Sequence, residues 1–187
     1  MKTGYHRKKQ PAVVRRQLLD VAAQVSSEKG LDHLTLDTVA REAGVSKGGL
    51  LHHFPSKQAL LHGLCDEMLE RLDAQIAEIM EKDPEPVGRF SRAYLEAISN
   101  YEAGEDAKRA GVLYVAIFAD AGLRERWRDW LENKLQKNAK TDSASSAWIV
   151  RLAADGLWLS DLIGGPESLR HHRQELVTKL LEISHCK

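Results

Sequence analysis

Cysteine is scarce in this chain: Cys65 and Cys186 are the only two among 187 residues. They make no disulfide framework and no metal-ligand spacing. The adjacent pairs His171-His172 and His185-Cys186 point apart on a helix, so they do not chelate either. No metal and no cofactor is expected. Long apolar runs are also missing. The most apolar stretch, VLYVAIFA at 112–119, stops at Asp120, far short of what crosses a bilayer. The first residues, MKTGYHRKKQP, are basic but have no apolar segment behind them, so they do not read as a signal peptide. A reduced, cytoplasmic protein with no membrane partner is the expectation. There is no Ser-His-Asp order, no phosphate loop, no internal repeat and no low-complexity tract. No catalytic residue is assigned, and an enzyme is not expected.

Net charge is absent as well, since 27 Lys and Arg balance 27 Asp and Glu. Its distribution is not even. Residues 1–57 hold ten basic and five acidic residues, a net of 10 − 5 = +5, and residues 58–187 hold 17 − 22 = −5. Positive charge at one end is what attraction to phosphate requires.

What is present is helical periodicity. The spacing predicts helices at 11–29, 36–43, 47–53, 56–82, 87–102, 106–121, 123–139, 143–163 and 167–184, about nine in all, and an all-α fold. Gly30, Gly104, Gly122, the polar stretch 140–146 and Gly164-Gly165-Pro166 punctuate them. The segment KDPEPVG at 82–88 is a break and the best candidate domain boundary in the pattern. VLYVAIF is ambiguous alone, and its helical neighbours favour helix.

Residues 35–57, TLDTVAREAGVSKGGLLHHFPSK, form the most informative stretch. Thr35 can cap one short helix and Ser46 the next. Gly44 lies where the chain must turn. Pro55 ends the second helix by pushing its predecessor out of the α region, and Ser56 caps a long third. This is a helix-turn-helix pattern, a device for laying a short helix in the major groove. Leu50 and Phe54, four apart, plug the core beneath it. Lys47 opens the reading helix, where it can reach phosphate or a guanine edge. His52 and His53 follow, one able to face the groove while the other packs or touches phosphate. Gly48 and Gly49 weaken that helix. They either let helices pack closely or let backbone approach DNA, and the residues alone leave both readings open.

With its signature AREAGVSKGGLLHHFPSKQALL, the stretch from about Val14 to Leu64 resembles the TetR family of one-component transcriptional regulators. The remaining two thirds are similar only in length and helical character. The resemblance implies a basic arm at 1–10, a DNA-binding domain at 11–57 and a helical effector-binding and dimerisation domain at 58–187. It also implies that Lys57 contacts phosphate. The implied DNA-binding set is Thr35, Ser46, Lys47, Gly48, Gly49, His52, His53 and Lys57. Two departures remove side-chain contacts: Leu51 stands where relatives often carry tyrosine, and Gly49 where a small hydroxyl or methyl residue is common. Lys2, Arg7, Lys8 and Lys9 are either extra DNA contacts or a solvated tail.

The partners implied are double-stranded operator DNA, a second copy of the chain and a small-molecule effector. A dimer needs apolar surface, and the last two helices offer it in Trp148, Leu152, Leu159 and Leu162 and in Leu169, Leu176, Leu180 and Ile183. An effector pocket, known to the family and apolar with a few hydroxyls, is expected from Met68, Leu72, Phe90, Tyr94, Tyr114, Phe118, Trp127, Trp130, Trp148 and Leu152. Asp120, Arg151 and Asp155 are candidate polar anchors, with solvated charge as the plainer reading. Glu67, Glu70 and Asp73 read as a solvated helix face, and Cys65 as a buried structural thiol. The function implied is a repressor released from its operator by a small, largely apolar effector. The rivals are an effector-independent architectural DNA binder and a helical enzyme.

Overall fold

The structure, a computed structural model, describes residues 11–99, 111 and 115–185. Every regular element among them is helical, as the periodicity predicts. The basic arm, Tyr101, Gly104, Tyr114 and half of the helix expected at 106–121 lie outside the described residues. The chain divides into two compact units, residues 1–64 and 65–187.

In the first unit, α1 (Pro11–Lys29) buries Leu18, Leu19, Ala22 and Val25 at spacings of one helical stripe. Gly30 ends it with φ at 84°, in the left-handed region that side chains resist. A 3₁₀ turn at Leu31–His33 leads to α2 (Leu36–Glu42). Thr35 caps α2, its Oγ1 accepting from the Thr38 amide at 3.1 Å. Gly44 turns the chain with φ at 67°. Ser46 caps α3 (Lys47–His53), accepting from the Gly49 amide at 3.1 Å. Ser56 then accepts from the Ala59 amide at 3.0 Å as α4 (Lys57–Lys82) begins. Leu50 and Phe54 are buried. Burial of such side chains stabilises by about 1.5–3 kcal/mol each. A helix of seven residues is not stable alone, so these two hold α3 in place.

In the second unit, α5 (Arg89–Ser99) is the central helix, with Phe90, Ala93, Tyr94, Leu95, Ala97 and Ile98 all buried. Residues 115–119 are helical. Then follow α6 (Ala121–Lys137), the short α7 (Ala139–Asp142), α8 (Ser145–Leu162) and α9 (Glu167–Ser184). The core combines Leu72 and Ile76 of α4 with α5, with Val150, Ala154 and Leu157 of α8, and with Leu180 of α9.

Two polar clamps secure this unit. Arg92, 7% exposed, donates to Asp83 Oδ2, Val87 O and Glu85 O, each at 2.7 Å, which ties the 82–88 break to α5. Burial alone would raise the Asp83 pKa, but the Arg92 and Glu85 hydrogen bonds hold it below its ordinary value. The second clamp joins α4 to α6. Arg126 pairs with Asp66 at 2.6 Å, while Trp130 Nε1 and Lys134 Nζ reach Asp73 at 2.8 and 2.7 Å. Partners seven apart on one helix and four apart on the other keep this seam in register. Asp73 is therefore a seam residue, not part of a purely solvated face.

Three further readings are corrected. Asp120 is the N-cap of α6, accepting from the Leu123 amide at 2.9 Å, so it ends the helical run before 121 and is occupied by backbone. The polar stretch 140–146 is not all break, because α7 occupies its start and buries Asp142. Arg151 is not solvated: only 3% of it is exposed.

Candidate DNA-reading helix and apolar cavity

Helix α3 has two unlike sides. Leu50 faces the core, while Lys47, Gly48, Gly49, Leu51 and His52 are exposed and His53 is half-buried. The His52 and His53 rings meet edge to face at 5.5 Å. The two histidines differ in exposure. Thr35, Ser46 and Lys57 are exposed too. Thr35 and Ser46 have their oxygens engaged as caps. At Gly48 a Cβ would meet nothing within 4 Å. Packing inside this protein therefore does not require glycine there. Gly49 differs, since a Cβ would stand 3.2 Å from the capping Ser46 Oγ.

The two lysines are already partnered. Lys47 Nζ lies 3.0 Å from Asp37 Oδ1, with both side chains exposed. Such a pair is worth little in water and exchanges readily for phosphate. Lys57 Nζ donates to Leu31 O at 2.9 Å, which anchors the 3₁₀ turn and leaves two of its three donors for other acceptors.

The second unit holds a cavity of about 570 Å³, within the range of small-molecule sites. Ile98, Ile117, Phe118, Trp127, Trp158 and Leu159 supply its apolar lining, and Asp155, Gly156, Arg124 and Arg128 the rest. Of the pocket residues expected from sequence, Phe118 and Trp127 are at this lining. Met68, Leu72, Phe90 and Tyr94 are buried core. Trp130 packs beside that core and is turned to Asp73. Trp148 and Leu152 stand on the surface, 45% and 64% exposed. Ile98, Ile117, Trp158 and Gly156 had no sequence signal beyond being apolar or small.

Asp155 sits in the cavity wall and accepts a hydrogen bond from the Tyr94 hydroxyl. Burial raises its pKa above the ordinary value, against the opposing effects of that hydrogen bond and of Arg151. Beneath it runs a buried network. Asp142 Oδ1 accepts from the Ser91 amide and hydroxyl at 2.8 and 2.7 Å, and Arg151 Nη1 donates to Ser91 Oγ at 2.6 Å. The Arg151 guanidinium also lies 4.5 Å over the Trp148 ring. Burial lowers the Arg151 pKa, against the charges of Asp142, Tyr94 and Asp155.

The apolar stripes expected to pair also divide. Leu180 is core, and Leu169 and Ile183 pack against it. Leu162 is half-buried, and Leu159 is shared with the cavity. Trp148, Leu152, Leu159 and Leu176 are substantially exposed, joined by Ile149 and Ile163, which the sequence reading had not assigned to pairing. No described helix is long and apolar enough to cross a membrane, and no metal-holding group of three side chains occurs among the described residues.

Sequence comparison matches residues 18–64 to the family described as "Bacterial regulatory proteins, tetR family". Residues 88–185 match "Tetracyclin repressor-like, C-terminal domain". The chain is 26% identical over 186 residues to the HTH-type transcriptional repressor KstR2 of Mycolicibacterium smegmatis, covering 92% of this chain and 91% of that one. In fold it is similar to the Streptomyces coelicolor A3(2) transcriptional regulator SCO7518, with TM-score 0.73, 18% identity and 92% and 99% of the two chains covered. It is also similar to the multidrug binding protein EbrR in complex with malachite green, with TM-score 0.68, 23% identity and 89% and 96% covered. Taken with the exposed α3 and the capped starts of α2 and α3, these matches place the chain in the tetR family of bacterial regulatory proteins, as a DNA-binding transcriptional regulator.

Proposed function

We propose that the chain is a sequence-specific repressor that acts in the cytoplasm as a homodimer and leaves its operator when a small, largely apolar effector fills the cavity. In this reading residues 1–10 are an arm, 11–57 bind DNA, and 58–187 bind effector and partner. The observation that carries it is the two-sided α3, with Leu50 buried and Lys47, Gly48 and His52 exposed. Lys47 and His52 read base edges, and Gly48 lets backbone come close. Gly49, Thr35 and Ser46 shape the helix starts and present amides to phosphate, while His53 and Lys57 contact backbone phosphate.

One such helix reads too few bases for specificity, so two copies must meet successive major grooves about 34–36 Å apart. The exposed Trp148, Leu152, Ile163 and Leu176 support pairing through α8 and α9. Release is then linkage: the effector must bind better to the form whose reading helices are misplaced. Helix α4 starts in the first unit and continues into the second, so it can carry that difference.

Filter binding across salt concentrations tests these assignments. Lys47→Ala should lose specific affinity. Lys57→Ala should weaken specific and nonspecific binding alike and reduce the salt slope by about 1. Unchanged slopes and affinities in both variants would refute the assigned roles, and a monomer at micromolar concentration in sedimentation would refute the pairing.

A further inference from the structure

The lining of the cavity is not neutral. Three aromatic rings, from Phe118, Trp127 and Trp158, share it with one half-buried carboxylate, Asp155. Two arginines also line it, but both are engaged. Arg124 Nη1 donates to Phe118 O at 2.7 Å. Arg128 has a side chain 70% exposed and pairs with Glu125 and Asp129 at 3.6 and 3.8 Å. Asp155 has no ion pair among the described residues, and the Tyr94 hydroxyl is its one hydrogen-bond donor there. Gly156 beside it carries no side chain, and a Cβ there would meet nothing within 4 Å.

From this geometry we infer that the cavity selects a small organic cation, its charge carried on an apolar or aromatic frame, held between the Trp127, Trp158 and Phe118 rings and the Asp155 carboxylate. This rests on the reading of the cavity as the effector site and names the class of effector. Aromatic faces attract cations through their quadrupole, and tryptophan does so best. A carboxylate partly out of water, short of counter-charge, gains most from a cation placed beside it. The raised pKa of Asp155 agrees, because it marks a charge the folded protein leaves undercompensated. An anionic ligand would face that carboxylate at close range.

Tetraphenylphosphonium and tetraphenylborate test this directly, since they share one four-ring frame and differ in the sign of charge. Each is titrated against the full-length protein by tryptophan fluorescence, and release of operator DNA is measured in parallel. The phosphonium should bind saturably and the borate at least about tenfold more weakly. Asp155→Asn, which keeps an acceptor for Tyr94, should weaken the phosphonium by about tenfold and leave the borate equal or tighter. Unchanged circular dichroism certifies the fold of the variant. Equal or tighter binding of the borate by the parent protein, an unaltered phosphonium affinity in Asp155→Asn, or binding of neither ion overturns the inference. A phosphonium that binds but leaves DNA bound overturns the effector reading and keeps the cation site. A borate that binds more tightly and releases DNA does the reverse.

Discussion

Replacing Asp142 by alanine is the severest single test of the second unit. Its carboxylate is 3% exposed and accepts three hydrogen bonds, two from Ser91 and one from Thr141 Oγ1 at 2.8 Å. Arg151, also 3% exposed, leans on the same residue through Ser91 Oγ and through Asp142 O at 3.2 Å. Its Nε and Nη2 have no hydrogen-bond partner among the described residues. The guanidinium therefore depends on the nearby negative charge rather than on full hydrogen bonding. Removing that charge strands a buried cation, which costs about 3–5 kcal/mol. Total stability of a domain is only about 5–15 kcal/mol. The midpoint temperature should fall by about 10–20 °C, taking about 4 °C per kcal/mol for a unit of this size. Asp142→Asn keeps an acceptor and should fall between the parent and Asp142→Ala. Adding Arg151→Met to Asp142→Ala removes the stranded cation, so the double variant should be more stable than the two single losses predict, by about 1–3 kcal/mol. Urea unfolding followed by circular dichroism at fixed protein concentration measures all five proteins, Arg151→Met alone included. A loss under about 1 kcal/mol in Asp142→Ala, or strict additivity in the double variant, would refute the claim that the network holds α5, α7 and α8 together.

Gly48→Ala should stabilise α3 by about 1 kcal/mol, because a Cβ there meets nothing and alanine is the better helix former. DNA affinity should nonetheless fall, and a variant that binds DNA as well as the parent would remove close backbone approach as the reason for glycine. Asp155→Asn should raise stability at neutral pH. The folded form holds this proton more tightly than the unfolded chain, whose value is 3.8, so stability declines as pH rises from below that value through the folded one. The advantage of the variant should shrink to nothing as pH drops below about 3.8, and a constant difference across pH would show the carboxyl to be unperturbed. Cys65 is fully buried, and burial together with the Asp66 charge pushes its thiol up to about 11. In a Cys186→Ser background, iodoacetamide at pH 7.5 should label urea-unfolded protein and spare the native form; equal labelling rates would contradict the burial.

The caps at Thr35, Ser46 and Ser56 were legible because they depend on residues three apart, and local hydrogen bonding decides them. The same holds for the turn at Gly44 and for Leu50 and Phe54 beneath the motif. Legibility ended where tertiary partners decide. A stripe of apolar residues shows that a helix has a covered face but not which element covers it, so Phe90 and Tyr94 read as pocket and are core. Trp148 and Leu152 read as pocket and are surface. Charged residues failed in the opposite direction. Arg151 and Asp73 looked solvated because nothing nearby in sequence pairs with them, while their partners lie 60 and 57 residues away, at Ser91 and Trp130. Asp142 lay in a polar stretch that resembles a linker, and only the fold shows Ser91 waiting for it.

Helix α8 carries two kinds of surface at once. Asp155, Gly156 and Leu159 line the cavity, and Trp148, Leu152 and Ile163 are exposed at helical spacing four and fifteen residues after Trp148. Trp148, Leu152, Leu159 and Ile163 fall within one narrow arc of a 3.6-residue helix, with Gly156 at its edge. A packed helix moves as a body rather than bending residue by residue. An occupant that shifts the Asp155 side of α8 must therefore shift the apolar arc that a second copy would cover. Two reading helices held at one helical repeat tolerate little change in their separation. If the chain pairs and senses as proposed, a small rotation at the pairing face would change that separation, with α4 running from the first unit into the second. On that proposal, the cavity residues and the pairing residues of α8 are parts of one device.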